Sequence, residues 1–213
     1  MDSIIKLRPL ALALSALVVA GCSGMSVTEC QTADWETIGY EDGVVGRSGA
    51  AIGNYRRDCA DAGVVPDRLA YENGRRAGLT EYCRPANGYR VGLGGADYAG
   101  VCGDFDEFGF LEGYRAGRVI FELRREVNRA SAQVDRAQAD IDAQRIVIAD
   151  IEKALIAAET TPEDRVVLLV DLKTESERLG ELNAELITAQ RLLAEAEATL
   201  RAEERATAQT SPW

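Results

Sequence analysis

Apolar and small side chains recur every three and four positions from residue 120 to residue 200, with charged residues between them. A period of 3.5 residues sustained over several heptads predicts helices of the coiled-coil type. In the first stretch the repeating positions are Ile120, Leu123, Val127, Ala130, Val134, Ala137, Ile141, Ile148, Ile151, Leu155 and Ala158, interrupted by Gln144. In the second stretch they are Leu168, Leu172, Leu179, Leu182, Leu186, Ala189, Leu193, Ala196 and Leu200.

A short polar segment, residues 159–164, separates the two stretches. Thr161 suits the N-cap of a new helix and Pro162 its first turn. So short a connection favours an antiparallel hairpin, although two separate helices that pair with other chains remain the alternative. Folding the chain about residue 160 brings together Val134 and Leu186, Val127 and Leu193, and Ile120 and Leu200.

Glycine and aromatic residues concentrate in the preceding part of the chain, residues 30–121, which we call the head. Aromatic residues are followed there by glycines spaced four apart, a spacing that allows close contact between helix backbones. The repeats are Tyr40-x-x-Gly43, Tyr71-x-x-Gly74-x-x-x-Gly78, Tyr89-x-x-Gly92 and Phe110-x-x-Gly113-x-x-x-Gly117. We predict helices over 33–45, 50–61, 67–82 and from 106 onward. Residues 85–103 are predicted to be irregular, with a tight turn or small hairpin at Asn87-Gly88.

The first 21 residues have the features of a secretory signal peptide: two basic residues, then an apolar run too short to span a bilayer. The end of this run, Val19-Ala20-Gly21-Cys22, resembles the lipobox of bacterial lipoproteins. That resemblance implies acyl chains on Cys22, palmitate among them, and Ser23 implies sorting to the outer membrane rather than the inner membrane. The alternative is a soluble secreted protein in which Cys22 has no special role.

Four cysteines remain beyond Cys22, namely Cys30, Cys59, Cys83 and Cys102. An even number in an exported chain predicts two disulfides, and four cysteines allow three connectivities. We favour Cys30–Cys59 with Cys83–Cys102, because each pair closes a segment that contains a chain reversal. A zinc site is the alternative, but the close cysteine spacing of zinc knuckles is missing from the sequence.

The head contains a further set of spaced positions that together form a specific pattern. They include Asp34-Trp35, Gly39-Tyr40-x-Asp42-Gly43-x-x-Gly46-Arg47, Gly63-Val64-x-Pro66-Asp67, Tyr82-Cys83, Asn87-Gly88-Tyr89 and Tyr98-x-Gly100-Val101-Cys102. At these positions the chain resembles an uncharacterised proteobacterial envelope family, domain of unknown function 2799, over about residues 28–123. The resemblance implies an envelope location and this architecture, and it implies no activity. One departure is that a basic residue or histidine expected before the second cysteine appears only as Arg56 and Arg57.

The residue inventory argues against catalysis. The chain has no histidine, so triads and imidazole metal sites are excluded, and its net charge of −11 argues against nucleic-acid binding. Asp104-x-Asp106 imitates the start of a calcium loop, but Arg115 stands where the bidentate glutamate is required. Four arginines beside the glycine repeats, Arg47, Arg75, Arg76 and Arg118, are candidate anion or partner contacts, although we favour intramolecular ion pairs.

The sequence therefore predicts a mainly α-helical lipoprotein with a disulfide-braced head and a long antiparallel coiled-coil hairpin. The expected segments are a signal peptide (1–21), a lipidated linker (22–29), the head (30–121), the hairpin (122–206) and a tail (207–213). We expect a structural, spacer or partner-docking role in the periplasm. Membrane attachment would be through lipid and protein contacts through the hairpin, with no catalysis, metal or cofactor. The alternative is a ligand- or cell-wall-binding head that the coiled coil oligomerises. The oligomeric state stays open.

Overall fold

The computed structural model describes residues 24–210, and within that range the regular structure is helical, without strands. The signal peptide, Cys22 and the last three residues lie outside the described residues. The helices are α1 (Val27–Thr32), α2 (Trp35–Val44), α3 (Ile52–Asp58, after a 3₁₀ turn at Gly49–Ala51), α4 (Arg68–Tyr82), α5 (Pro85–Leu93), α6 (Glu107–Ile156) and α7 (Pro162–Thr210).

The head consists of two pairs of closely packed helices. In the first pair, α2 and α4 cross where the glycines of α2 face those of α4. A Cβ atom at Gly74 would lie closer than 3.0 Å to the carbonyl oxygen of Glu36, and one at Gly78 would meet the carbonyl oxygen of Tyr40. Higher-numbered residues of α2 meet higher-numbered residues of α4, so the two helices run in the same direction.

The second pair, α5 with the first turns of α6, repeats this arrangement residue by residue. Gly113 faces the carbonyl oxygen of Pro85 and Gly117 that of Tyr89. Each pair ends its first helix with a glycine at positive φ that lies against an aromatic ring of its second helix. The equivalent positions are Gly39 and Gly88, Gly43 and Gly92, Gly46 and Gly95, Tyr71 and Phe110, Gly74 and Gly113, Gly78 and Gly117, and Tyr82 and Phe121.

Two disulfides, Cys30–Cys59 and Cys83–Cys102, brace the head, and all four cysteines are buried. The first links α1 to the end of α3, beneath Trp35 and Tyr71. The second joins the end of α4 to the loop before α6, beside Phe110. The favoured connectivity is confirmed, and the zinc alternative is wrong.

One local prediction in the head is wrong. Residues 85–93 form a helix rather than an irregular segment or hairpin, because Pro85 is compatible with the first helical turn and Gly88 lies mid-helix against Phe110. The segment expected to be a linker, 22–29, already contains the start of α1, where Ser26 and Glu29 form a capping box. The other predicted helices of the head are present with shorter bounds.

Beyond the head, α6 and α7 are each about 50 residues long and contact one another. Apart from Ala158, which follows the end of α6, every repeating apolar position predicted from the sequence is buried or half-buried. No helix boundary separates the head from the following segment, because α6 begins inside the head and continues to Ile156. Helix α7 also extends past residue 206, and Thr207 is buried.

Among the helices of residues 24–210, none combines the length and the apolar character that are needed to span a bilayer.

Candidate functional site

A buried carboxyl group lies inside the first helix pair. Asp42 on α2 is 3% exposed and accepts hydrogen bonds from three side chains. The Tyr71 hydroxyl donates from α4 at 2.7 Å, and the Tyr55 hydroxyl donates from α3 at 3.0 Å. Arg47 Nη1, in the loop after α2, donates to Oδ1 at 2.9 Å. Asp42 thus ties together α2, α3, α4 and the loop that connects them.

The surroundings of Asp42 keep its donors protonated. Burial, reinforced by the hydrogen bond to Asp42, raises the pKa of the Tyr71 phenol well above its usual value. Burial also raises the pKa of Tyr55, and the Coulombic attraction of Asp42 raises the pKa of the Arg47 guanidinium. Because the three donors hold their protons across the ordinary pH range, the cluster is suited to holding the helices together and poorly suited to proton transfer.

The second helix pair shows which of these contacts the fold requires. Val91 stands where the first pair has Asp42, and Phe110 where it has Tyr71. One polar contact is retained: Tyr114 Oη donates to the Ala96 carbonyl at 3.0 Å, as Arg75 Nε donates to the Arg47 carbonyl at 2.9 Å. The glycine-packed pair therefore forms without a buried carboxyl group, and a neutral phenol makes the bond for which the first pair uses an arginine.

A groove of about 790 Å³ lies between α3, α4 and the loop before α6; we call it the arginine groove. Four guanidinium groups and two carboxylates line it, in a protein whose net charge is −11. Leu79, Ile52 and Phe105 form its apolar part, and Val65 and Leu69 lie at its edge. The charged lining residues are Arg56, Arg68, Arg75, Arg76, Glu72 and Asp104.

The structure brings only some of the predicted arginines together. Arg75 and Arg76 line the groove, and Arg47 contacts Arg75 through its carbonyl oxygen while its side chain pairs with Asp42. Arg118 is elsewhere: in the second pair it donates to the Gly95 carbonyl at 2.8 Å and pairs with Glu122 at 3.0 Å. The ion-pair role favoured from the sequence is confirmed for Arg47 and Arg118.

Sequence reasoning missed the other members of the site. Arg56 and Arg68 lie in the groove, and Tyr55 and Tyr71 bond Asp42. One signal was available, because an aspartate directly before Gly43, on the packed face of α2, is out of place unless it has buried partners. Arg47 is only five residues from Asp42, but the two tyrosine partners are 13 and 29 residues away and no local pattern links them to it.

No group of three or more metal-ligating side chains is found within residues 24–210. Asp106, part of the calcium-loop-like sequence, instead caps α6 by accepting the backbone N–H of Gly109 at 3.0 Å. This contact stabilises the start of the long helix.

A second surface lies at the turn between α6 and α7, which we call the distal end. The guanidinium of Arg165 on α7 covers the last turn of α6, donating to the carbonyls of Leu155 at 2.7 Å and Ala157 at 3.0 Å. Large apolar side chains around this turn are exposed, Ile156 by 83%. The others are Ile146, Val147, Val166, Val167, Leu169 and Val170.

Comparison with known proteins identifies one relationship. The family model described as a protein of unknown function (DUF2799) matches residues 34–119, the range that contains both helix pairs of the head. The resemblance inferred from the sequence is thereby confirmed. No curated protein and no solved structure matches the chain.

Proposed function

Because residues 34–119 carry a DUF2799 domain, whose family description names no activity, we propose a function from the residues themselves. The protein is a non-catalytic lipoprotein of the bacterial envelope, anchored through acyl chains on Cys22 and facing the periplasm from the outer membrane. It acts as a spacer and partner-docking element. The lipobox-like sequence before Cys22 and the two disulfides, which are typical of exported proteins, support this proposal.

In this proposal α6 and α7 form an antiparallel coiled-coil hairpin. Support comes from the buried heptad positions and from two cross-helix contacts. Arg124 pairs with Glu204 at 2.9 Å near the head, and Gln144 Nε2 donates to Glu175 at 2.6 Å nearer the turn. At 1.5 Å per residue, the part of α6 beyond residue 122 extends about 50 Å. Such a length places the distal end well away from a membrane-anchored head.

The exposed apolar side chains at the distal end are the observation that carries the docking role. A helix in contact with water ordinarily keeps its large apolar residues on the packed face, and a contiguous exposed patch marks an interaction site. Val166, Val167, Leu169 and Val170 occupy more than one face of α7 in its first turns, and the exposed Ile156 is the last residue of α6. A partner helix or groove that covered them would remove this surface from water.

The docking role is tested by charging the patch. In the native envelope we expect photo-crosslinking from position 169 to capture a protein, and Val166→Glu with Val170→Glu to abolish that capture. Ile187→Glu is the matched control, because Ile187 is equally exposed (67%) on α7 but lies far from the turn. Capture that survives the double substitution, or that Ile187→Glu removes equally, contradicts the docking role.

The lipid anchor has its own test. Cys22→Ser is expected to move the protein from the membrane fraction to the soluble periplasmic fraction and to prevent incorporation of labelled palmitate. Unchanged partitioning contradicts the anchor but leaves the crosslinking result valid, so the two parts of the proposal fail separately.

A ligand-binding head is the second candidate function, and the arginine groove is the observation that favours it. In that case α6 and α7 serve to oligomerise the head. Substitutions in the groove would then remove function while the crosslinks from position 169 persist.

A further inference from the structure

The arginine groove is built from parts that the helix pair does not need. Between α2 and α4 the chain makes a 23-residue excursion, residues 45–67, which contains α3, whereas α5 and α6 are joined by the 13 residues 94–106. The longer excursion supplies one wall of the groove, with Ile52, Arg56 and Val65. The second pair shows that the same packing forms without such a wall.

The charge in the groove also exceeds what the fold requires. Tyr114, a neutral side chain, makes in the second pair the bond that Arg75 makes in the first. Arg68 pairs with Glu72 at 2.7 Å, but among residues 24–210 neither Arg56 nor Arg76 has a carboxylate within the 4.0 Å of an ion pair. At least two guanidinium groups therefore face the groove without an anionic partner, although Asp104 offsets part of their charge.

The shape and the remaining lining define the kind of ligand. A volume of about 790 Å³ is in the range of binding pockets and far exceeds a single small anion. Val65 and Leu69, 73% and 71% exposed, present apolar surface beside the arginines. The side-chain amide of Asn73, also in the lining, can both donate to and accept from a peptide backbone.

From this combination we propose that the arginine groove binds an extended peptide segment that carries carboxylates next to apolar side chains. Guanidinium groups recognise carboxylates in a bidentate geometry, and Arg56 and Arg76 are the residues free to do so. Asn73 contacts the peptide backbone, and Val65 and Leu69 cover its apolar side chains. This proposal is independent of the lipid on Cys22 and of the docking role of the distal end.

The test uses the full-length protein and a fluorescein-labelled hexapeptide of alternating glutamate and leucine. Binding is measured by fluorescence anisotropy. We expect the affinity for the peptide to fall several-fold when the salt concentration is raised. In the Arg56→Gln/Arg76→Gln variant the affinity should fall about tenfold or more. Arg115→Gln is the matched control, because Arg115 is exposed at the position of the second helix pair equivalent to Arg76. It should change the affinity less than twofold.

Two further measurements make the proposal sharper. Arg75→Tyr places at this position the residue type that the second pair has at Tyr114. It should leave the melting temperature of the head unchanged and lower the affinity for the peptide by about threefold, because one positive charge is lost. The same hexapeptide with glutamine in place of glutamate should bind at least tenfold more weakly. Equal binding of the two peptides overturns the proposal, as does no binding, an affinity unchanged in Arg56→Gln/Arg76→Gln, or complete displacement by low-millimolar inorganic phosphate.

Discussion

The two helix pairs of the head differ at the position where the first pair has the carboxyl group of Asp42 and the second pair has the isopropyl group of Val91. Both pairs bring two parallel helices into backbone contact through glycines at equivalent positions. The first pair adds a buried hydrogen-bonded cluster around Asp42 and an excursion that contains α3. The second has Phe110 packed on Tyr82 and Tyr98, with ring centroids 5.1 and 4.9 Å apart.

The difference separates two kinds of constraint within one domain. Glycine at the crossing is a requirement of the backbone geometry and is shared by both pairs. The side chains that surround the crossing are free to be apolar, as in the second pair, or polar, as in the first. The excursion that contains α3 is confined to the first pair and lines the arginine groove, so the proposed binding of a peptide there is our explanation for it.

The glycines at the crossings should give the largest effects. Gly74→Ala and Gly113→Ala place a Cβ atom against a backbone carbonyl that cannot move away, so each should lower the free energy of unfolding by at least about 3 kcal/mol. Near-ultraviolet circular dichroism follows the head selectively during urea unfolding, because residues 122–212 contain no aromatic side chain.

Gly180→Ala is the matched control for these two variants. Gly180 lies in α7 with nothing within 4 Å of a Cβ atom, so the substitution should stabilise α7 by about 0.5–1 kcal/mol. If alanine is tolerated at Gly74 but not at Gly113, or the reverse, the two crossings are not equivalent.

Asp42→Val, which installs the residue of the second pair, should have the next largest effect. It leaves the hydroxyls of Tyr71 and Tyr55 without an acceptor, at a cost of about 2–3 kcal/mol in the free energy of unfolding. Adding Tyr71→Phe should recover about 1 kcal/mol, because the buried hydroxyl is then removed as well. Additive effects of the two substitutions in a urea-unfolding cycle would contradict the coupling between Asp42 and Tyr71.

Alkaline pH should produce the smallest effect. Folding raises the pKa of Tyr71, mainly through burial, so the stability it contributes is present below its unfolded pKa of about 10 and is lost as the pH rises beyond that value. Thermal unfolding between pH 9 and pH 11.5 should show a shallower loss in Tyr71→Phe. Residual loss is expected, because burial also raises the pKa values of Tyr55, Tyr82 and Tyr98.

Tyr40→Phe is the control for the pH series, since Tyr40 is half exposed and lies outside the Asp42 cluster. A pH profile altered equally by Tyr40→Phe and Tyr71→Phe would show that the Asp42 cluster makes no special contribution.

The long helices could be predicted from the sequence almost residue by residue, because heptad periodicity is a local signal and Thr161-Pro162 marks the start of α7. The glycine spacing likewise predicted close helix contacts in the head, and these are present. Helix α5 was missed because Pro85 and Asn87-Gly88 have the composition of a turn, whereas the contact of Gly88 with Phe110 of α6 favours a helix. The packing of α5 against α6 therefore outweighs the low helix propensity of these residues.

The site was less predictable than the fold. The arginines near the glycine repeats are evident from the sequence, but which of them share a surface depends on how the excursion containing α3 folds over α4. Arg56 is close to Arg76 only through that path, and Arg118 is excluded from it by belonging to the second pair. Apart from the local pair Asp42–Arg47, the Asp42 cluster joins residues of three different helices, so most of it depends on tertiary structure.

Helix α6 is a single element from Glu107 to Ile156 and contains no proline, which is one of the common causes of a sharp helix kink. Its first turns supply Gly113 and Gly117 to the head, and its last turn reaches the distal end. A movement of the distal end would therefore be transmitted along one continuous helix to the glycine crossing with α5. The Cys83–Cys102 disulfide, which packs beside Phe110 at that crossing, links the loop before α6 to the end of α4.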